Sequence, residues 1–213
     1  ERLSSTLIHD YLKTSGLEVR LVDARSIIKT DAQFGNAVVD QTLSYSNIQA
    51  AFEGYSGISI VPGFLASSNE GNLTTTLGRG GSDYSAALIA AALNADKLQI
   101  WTDVSGMMTA NPRMVPLAHP IKHLSYEEAM ELSHFGAKVI YPPTIQPVLD
   151  KGIAVEVKNT FSPDDHGTLI TKTGAEDGDL VKGLSSIEDV ALCTLSGSGM
   201  VAVPNFSYRL FAS

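Results

Sequence analysis

The run Leu73-Thr74-Thr75-Thr76-Leu77-Gly78-Arg79-Gly80-Gly81-Ser82-Asp83 constrains this chain more than any other stretch. Three threonines between two leucines favour an extended strand, because β-branched side chains pack well on a pleated surface. A glycine-rich turn follows, and Tyr84 to Leu93 is apolar and rich in alanine, with good helix propensity. Strand, flexible turn and helix start thus come in immediate succession. Ser82 is placed to cap the helix, and Asp83 falls in its first turn, where a carboxylate is favoured. Glycines let a backbone come close to a ligand, and free N–H groups at a helix start attract anions. Arg79 adds a planar, permanently charged fork suited to carboxylate or phosphate. The same residues also suit an ordinary strand-to-helix turn with a solvated arginine. Neither the G-K-[ST] phosphate loop nor the G-x-G-x-x-G dinucleotide fingerprint is present in this turn.

Composition narrows the ligand classes. With 213 residues, 44% hydrophobic and 18% charged, the chain can bury one large core or slightly more. Lys+Arg 15 against Asp+Glu 23 gives a net charge of −8, which argues against nucleic acid and anionic membrane surfaces as partners. An anionic ligand must therefore find a few local cations. No apolar run reaches the length of a membrane span. The single Cys193 excludes an internal disulfide framework and fits a reducing compartment. The sequence has no H-E-x-x-H, C-x-x-C or G-x-S-x-G motif, and Pro120 separates His119 from His123, so zinc and serine-nucleophile chemistry lack a signature. Residue 1 is Glu, Arg2 to Leu12 is already at helical spacing, and Tyr208–Ser213 ends inside another helical pattern. The expectation is a piece of a longer protein, cut at both ends.

Taken in order, the pattern predicts a helix to Leu12, a strand over Leu17–Asp23, a helix over Ser46–Glu53 and a strand over Ile58–Val61. Pro62-Gly63-Phe64 ends that strand and opens a polar loop over Ser67–Asn72. After the opening run come a strand over Lys97–Thr102, a long loop over Asp103–Pro120 and a capping box at Ser125–Glu128 that starts a helix. A helix from Pro142 to about Leu149 and strands over Ile153–Lys158 and Gly167–Thr171 follow. Lys172–Gly183 reads as a linker, with a strand over Val190–Leu195 and a helix from Phe206 opening a second small domain. Such alternation predicts an α/β layer fold with a largely parallel sheet, whose ligands sit at the carboxyl ends of strands. The loops after Val61, Leu77 and Thr102 qualify. Thr102-Asp103 suits a nucleotide or metal, or else Asp103 merely satisfies backbone N–H groups. Lys138, just past a helix end, suits a phosphate or only the helix dipole.

Read together, these segments resemble a known family. Glu1-Arg2-Leu3-Ser4, Pro62-Gly63-Phe64, Thr74 through Tyr84, Ile100-Trp101-Thr102-Asp103-Val104, Asn111-Pro112-Arg113 and Phe135-Gly136-Ala137-Lys138-Val139 follow the order found in aspartokinases of the amino-acid kinase fold. The resemblance implies a carbamate-kinase-like three-layer sandwich with a largely parallel sheet over residues 1–172. It further implies a linker over 173–183 and the start of an α+β ACT regulatory domain over 184–213. The implied activity is transfer of the ATP γ-phosphoryl group to the side-chain carboxylate of L-aspartate, with Mg²⁺, giving 4-phospho-L-aspartate. By resemblance, Arg79, Gly80, Gly81 and Ser82 grip the aspartate, Glu1 meets its ammonium and Phe64 walls the pocket. Arg79 and Asp83 are the implied catalytic groups, with Asp83 orienting the others. Thr102, Asp103, Met108, Arg113, Lys138 and Val139 are implied to serve the nucleotide, and no residue is assigned as a metal ligand.

Departures from the family pattern are local. The phosphate-contacting K-F-G-G-T-S run is absent, so these 213 residues alone are expected to be inactive. Met108 stands where many members have tyrosine, Asn111 replaces an aspartate and Tyr141 replaces a frequent histidine. The resemblance also implies a cytoplasmic homo-oligomer with a lysine or threonine effector, and it leaves open whether a homoserine dehydrogenase domain follows. The alternatives are a family relative with another acceptor, or a non-catalytic amino-acid-binding regulatory chain.

Overall fold

One alanine-rich helix, Gly81–Leu93, stands between two cores in the computed structural model, which describes residues 1–134, 139–174, 181–187, 189–191 and 194. In chain order the described elements begin with α1 (Arg2–Thr14), β1 (Val19–Leu21), α2 (Ala24–Ile27), β2 (Lys29–Thr30) and α3 (Gln41–Phe52). Next are β3 (Ile58–Ile60), β4 (Leu65–Ser68), β5 (Thr74–Thr76), α4 (Gly81–Leu93) and β6 (Lys97–Thr102). Then come β7 (His123–Ser125), α5 (Tyr126–His134), α6 (Pro142–Asp150), β8 (Ala154–Asn159) and β9 (Thr168–Thr171).

Strand pairing bears out the α/β expectation. Among the described residues, β1–β3, β2–β4, β6–β8 and β7–β9 pair parallel, and β4–β5 and β8–β9 pair antiparallel. The strands run β2-β4-β5 in one sheet and β6-β8-β9-β7 in another, with β1-β3 as a separate pair. α4 gives Ala87, Ala90 and Ala91 to the core built with β6, β8 and β9, and Leu88 and Ala92 to the core built with α2, α3 and β4. A helix buried on two sides must be apolar nearly all round. Its small side chains let α3 and α6 pack close to it. Burial on both sides fixes the position of its N-terminus, and that N-terminus carries the glycine turn.

Several local expectations needed correction. The stretch read as a polar loop from Ser67 is partly strand, because β4 spans Leu65–Ser68 and is paired on both edges. Its polar side chains are buried and bonded: Lys29 Nζ donates to Ser67 Oγ at 2.8 Å, and Ser67 Oγ donates to the Arg25 carbonyl at 2.7 Å. Beside them Thr30 and Thr75 share a hydroxyl bond of 2.8 Å. Polar composition therefore reads as loop where a satisfied polar sheet interior stands. α3 begins at Gln41, well before Ser46, because the Asp40 carboxylate accepts from the Leu43 N–H at 3.0 Å and caps it. α2, β2 and β7 are too short to show a period. The capping box is present, with Glu128 N–H donating to Ser125 Oγ at 3.1 Å and Ser125 N–H donating to Glu128 Oε2 at 2.6 Å. The expected strand over Val190–Leu195 and the helix from Phe206 lie largely or wholly outside the described residues.

Candidate functional site

The turn between β5 and α4 closes onto the loop after β3. Gly80 has φ +68° and caps α4 with its backbone alone, so the expected cap at Ser82 is corrected: Ser82 lies one residue inside the helix. A left-handed residue at this point is what brings the helix forward by that much. Gly81 is in tight contact, since a Cβ there would lie 2.8 Å from Phe64 Cδ2 and 3.0 Å from Leu77 Cβ. Phe64 itself has φ +71°, which is uncommon for an aromatic residue. Two bonds hold it there: its N–H donates to Ser85 Oγ at 3.0 Å and its carbonyl accepts from the Leu77 N–H at 3.1 Å. Strained backbone of this kind clusters at ligand sites.

Glu1, Phe64, Gly80, Gly81, Ser82 and Asp83 line one open cavity of about 300 Å³. Three stretches far apart in the chain, at Glu1, Phe64 and Gly80–Asp83, are thereby brought together. Gly78, which sequence reasoning left out of the site, completes the wall, and its membership of the same glycine run was the available signal. Arg79 is exposed beside this cavity, not in its wall, with its guanidinium carbon 5.3 Å from the Tyr141 ring centroid. Among the described residues Arg79 makes no hydrogen bond or ion pair. No side chain caps α4; the Gly81 N–H donates to the Gly78 carbonyl at 3.1 Å, and among the described residues the Ser82 and Asp83 N–H groups have no acceptor and suit an anion. Asp83 is half-buried, has no described hydrogen-bond partner, and burial pushes its carboxyl above the ordinary value of 3.8. A desolvated, unpaired carboxylate in a cleft is a functional-site candidate.

The second group assembles at the end of β6. Thr102 pairs with Asn159 across β8, and its carbonyl accepts from the Thr160 N–H at 2.8 Å. Asp103 accepts only from Thr102 Oγ1, at 3.1 Å, among the described residues, so it does not serve as a backbone cap. Asn111 Oδ1 accepts from the Arg113 N–H at 3.0 Å, as an aspartate in its place also would, and thereby turns the Asn-Pro-Arg segment. Thr102, Asp103, Met108, Arg113 and Val139 line a cavity of about 610 Å³. Lys138 lies outside the described residues. A neighbouring cavity of about 770 Å³ shares Asp103, Val104, Met108 and Pro112, and adds Lys122, Asn159 and Asp165. Sequence reading missed one wall of the smaller cavity. Leu184, Ser185, Ser186 and Ile187, from the stretch assigned to a second domain, line it, and the Leu184 N–H donates to the Thr109 carbonyl at 2.8 Å.

Comparison with known proteins bears on the family. Residues 1–159 match the sequence profile of the amino acid kinase family. The chain is 37% identical over 213 residues to a bifunctional aspartokinase/homoserine dehydrogenase of Haemophilus influenzae, covering 100% of this chain and 26% of that protein. It is 36% identical over 213 residues to the lysine-sensitive aspartokinase 3 of Escherichia coli, covering 99% of this chain and 47% of that one. The chain thus spans between a quarter and a half of the length of these relatives. Among solved structures, E. coli aspartokinase III in complex with aspartate and ADP superposes with a TM-score of 0.76 at 38% identity, over 83% of this chain and 40% of that chain. With most of its length matched to the family profile and its fold shared with these kinases, the chain belongs to the amino acid kinase family.

Proposed function

We propose that the full-length protein is an ATP-dependent aspartate kinase that phosphorylates the β-carboxylate of L-aspartate to give 4-phospho-L-aspartate. The observation that carries this reading is the convergence of Glu1, Phe64, Gly80, Gly81, Ser82 and Asp83 on one cavity at a helix N-terminus that has no side-chain cap. An amino acid with two carboxylates needs cation and N–H donors for the anions and a carboxylate for the ammonium. Arg79, the α4 N-terminus and Glu1 meet those needs. The aspartate β-carboxylate oxygen attacks the γ-phosphorus, the bond to the β,γ-bridging oxygen breaks, and ADP leaves with the electron pair. Such a reaction asks the protein for alignment and charge neutralisation, not for a covalent group. Thr102, Asp103, Met108, Arg113 and Val139 supply the nucleotide side, with Lys138 as a phosphate contact.

Mg²⁺ accompanies the nucleotide in this reading and supplies charge neutralisation at its phosphates. Among the described residues no three His, Cys, Asp or Glu side chains converge as metal ligands. We further assign residues 1–172 to the catalytic domain, 173–183 to a linker and 184–213 to the start of an ACT regulatory region that takes lysine or threonine. The complex of E. coli aspartokinase III with lysine and aspartate supports an amino-acid effector. A cytoplasmic homo-oligomer completes the reading.

The deciding experiment is ADP release by the full-length protein with aspartate, glutamate or N-acetylglutamate as acceptor. Aspartate is expected to be preferred by a wide margin in kcat/KM. Equal use of the three acceptors, or aspartate binding with no ATP turnover, overturns the proposal.

A further inference from the structure

Arg79 stands on a turn chosen for backbone freedom, yet a two-pronged carboxylate contact needs a fixed fork. In this structure the Tyr141 ring is the group that lies against it. The guanidinium carbon lies 5.3 Å from the ring centroid, within cation–π range. A contact through the ring face uses none of the guanidinium N–H donors, and among the described residues Arg79 spends none elsewhere. The ring restrains the fork and leaves it open to a ligand.

The backbone that carries the ring is itself held firmly. Tyr141 is the cap residue of α6, and Pro142 and Pro143 fix the backbone that follows. Its carbonyl accepts from the Thr144 N–H at 3.0 Å and from Thr144 Oγ1 at 2.6 Å. Gly80 is shaped for this neighbour, because a Cβ there would sit 3.2 Å from Tyr141 Cβ and 2.8 Å from Thr144 Cγ2. α6 also packs along α4. Turn, ring and helix start form one unit, and Val139, two residues before the ring, walls the nucleotide-side cavity.

We propose that Tyr141 is a positioning residue for the acceptor: its ring holds Arg79 in the orientation that receives the substrate carboxylate. The inference rests on the aspartate-kinase reading and deepens it, because it places a determinant of acceptor affinity outside the cavity wall.

Steady-state kinetics of the full-length protein test it, with aspartate and ATP varied separately. Tyr141→Leu is expected to raise the aspartate KM about threefold to tenfold, the range of a partly exposed cation–π contact, and to leave the ATP KM nearly unchanged. Tyr141→Phe keeps the ring and is expected to restore the aspartate KM. In an Arg79→Ala background, Tyr141→Leu is expected to add nothing further, since the two residues act as one. If Tyr141→Leu loses its thermal transition, Tyr141→Met takes its place with the same expectations. An unchanged aspartate KM in a folded variant, a Tyr141→Phe defect as large as the leucine one, or additive effects would each overturn the inference. A wild-type protein without aspartate-dependent ADP release would instead defeat the aspartate-kinase reading itself.

Discussion

Asp83 and Arg79 give the glycine turn its electrostatic character, and they do so in opposite ways. Burial raises the Asp83 carboxyl above its ordinary value, so at neutral pH the folded protein bears the cost of an ionised, desolvated group. That cost is present above the raised folded pKa, is relieved as pH falls through it, and is gone below the unfolded value of 3.8. Asp83→Asn is therefore expected to raise the melting temperature at pH 7, with the gain shrinking toward pH 4, while ATP turnover falls steeply. A variant melting at the wild-type temperature at pH 7 contradicts the burial argument. For Arg79, the relevant variable is shape. Arg79→Lys retains the charge and loses the fork, so the aspartate KM is expected to rise about tenfold or more, in line with hydrogen bonds to charged groups. Unchanged aspartate kinetics would remove Arg79 from the acceptor site.

Elements position these residues, and they differ in how far their sequence reveals them. The strand, turn and helix around Gly78–Asp83 were legible, because β-branched, glycine and alanine segments adjoin sharply. The Ser125–Glu128 box was legible for the same reason, being a local motif with a local bond. β4 was not, because Ser67 takes its partners, Lys29 and the Arg25 carbonyl, from residues distant in the chain. The cap of α4 was misread by two residues. Ser82 has the right chemistry, but Gly80 takes a conformation only its neighbours explain. Gly80→Ala tests that explanation: a left-handed residue facing Thr144 and Tyr141 is expected to cost about 1–2 kcal/mol in stability. Urea denaturation would read the loss, and a midpoint equal to wild type would show that the turn is not held as described. The acceptor-side residues were assigned by resemblance; all of them but Arg79 line one cavity.

At the scale of the molecule, the chain beyond β9 runs back over the part before it. Lys182 Nζ lies 3.1 Å from Glu128 Oε1, and Leu184 is bonded to Thr109 within the loop that follows β6. Residues 184–187 thereby line the cavity at the end of β6. Composition marked this region only as polar and glycine-rich, so its docking was invisible in the sequence. Leu184→Pro removes the N–H that Thr109 accepts and is expected to raise the ATP KM about threefold to tenfold, the worth of one hydrogen bond, with the aspartate KM unchanged. An unaltered ATP KM would mean that the segment lies against the cavity without shaping it. None of the described helices is long and apolar enough to cross a membrane.

The sharing of α4 between two cores has a consequence for binding. Because Ala87, Ala90 and Ala91 serve one core and Leu88 and Ala92 the other, neither half can loosen without disturbing the helix whose first turn borders the cavity lined by Glu1 and Phe64. The entropy of ordering that turn is thus lost when the protein folds, before any ligand arrives. An arriving amino acid meets a preorganised surface, and more of its contact energy remains available as affinity.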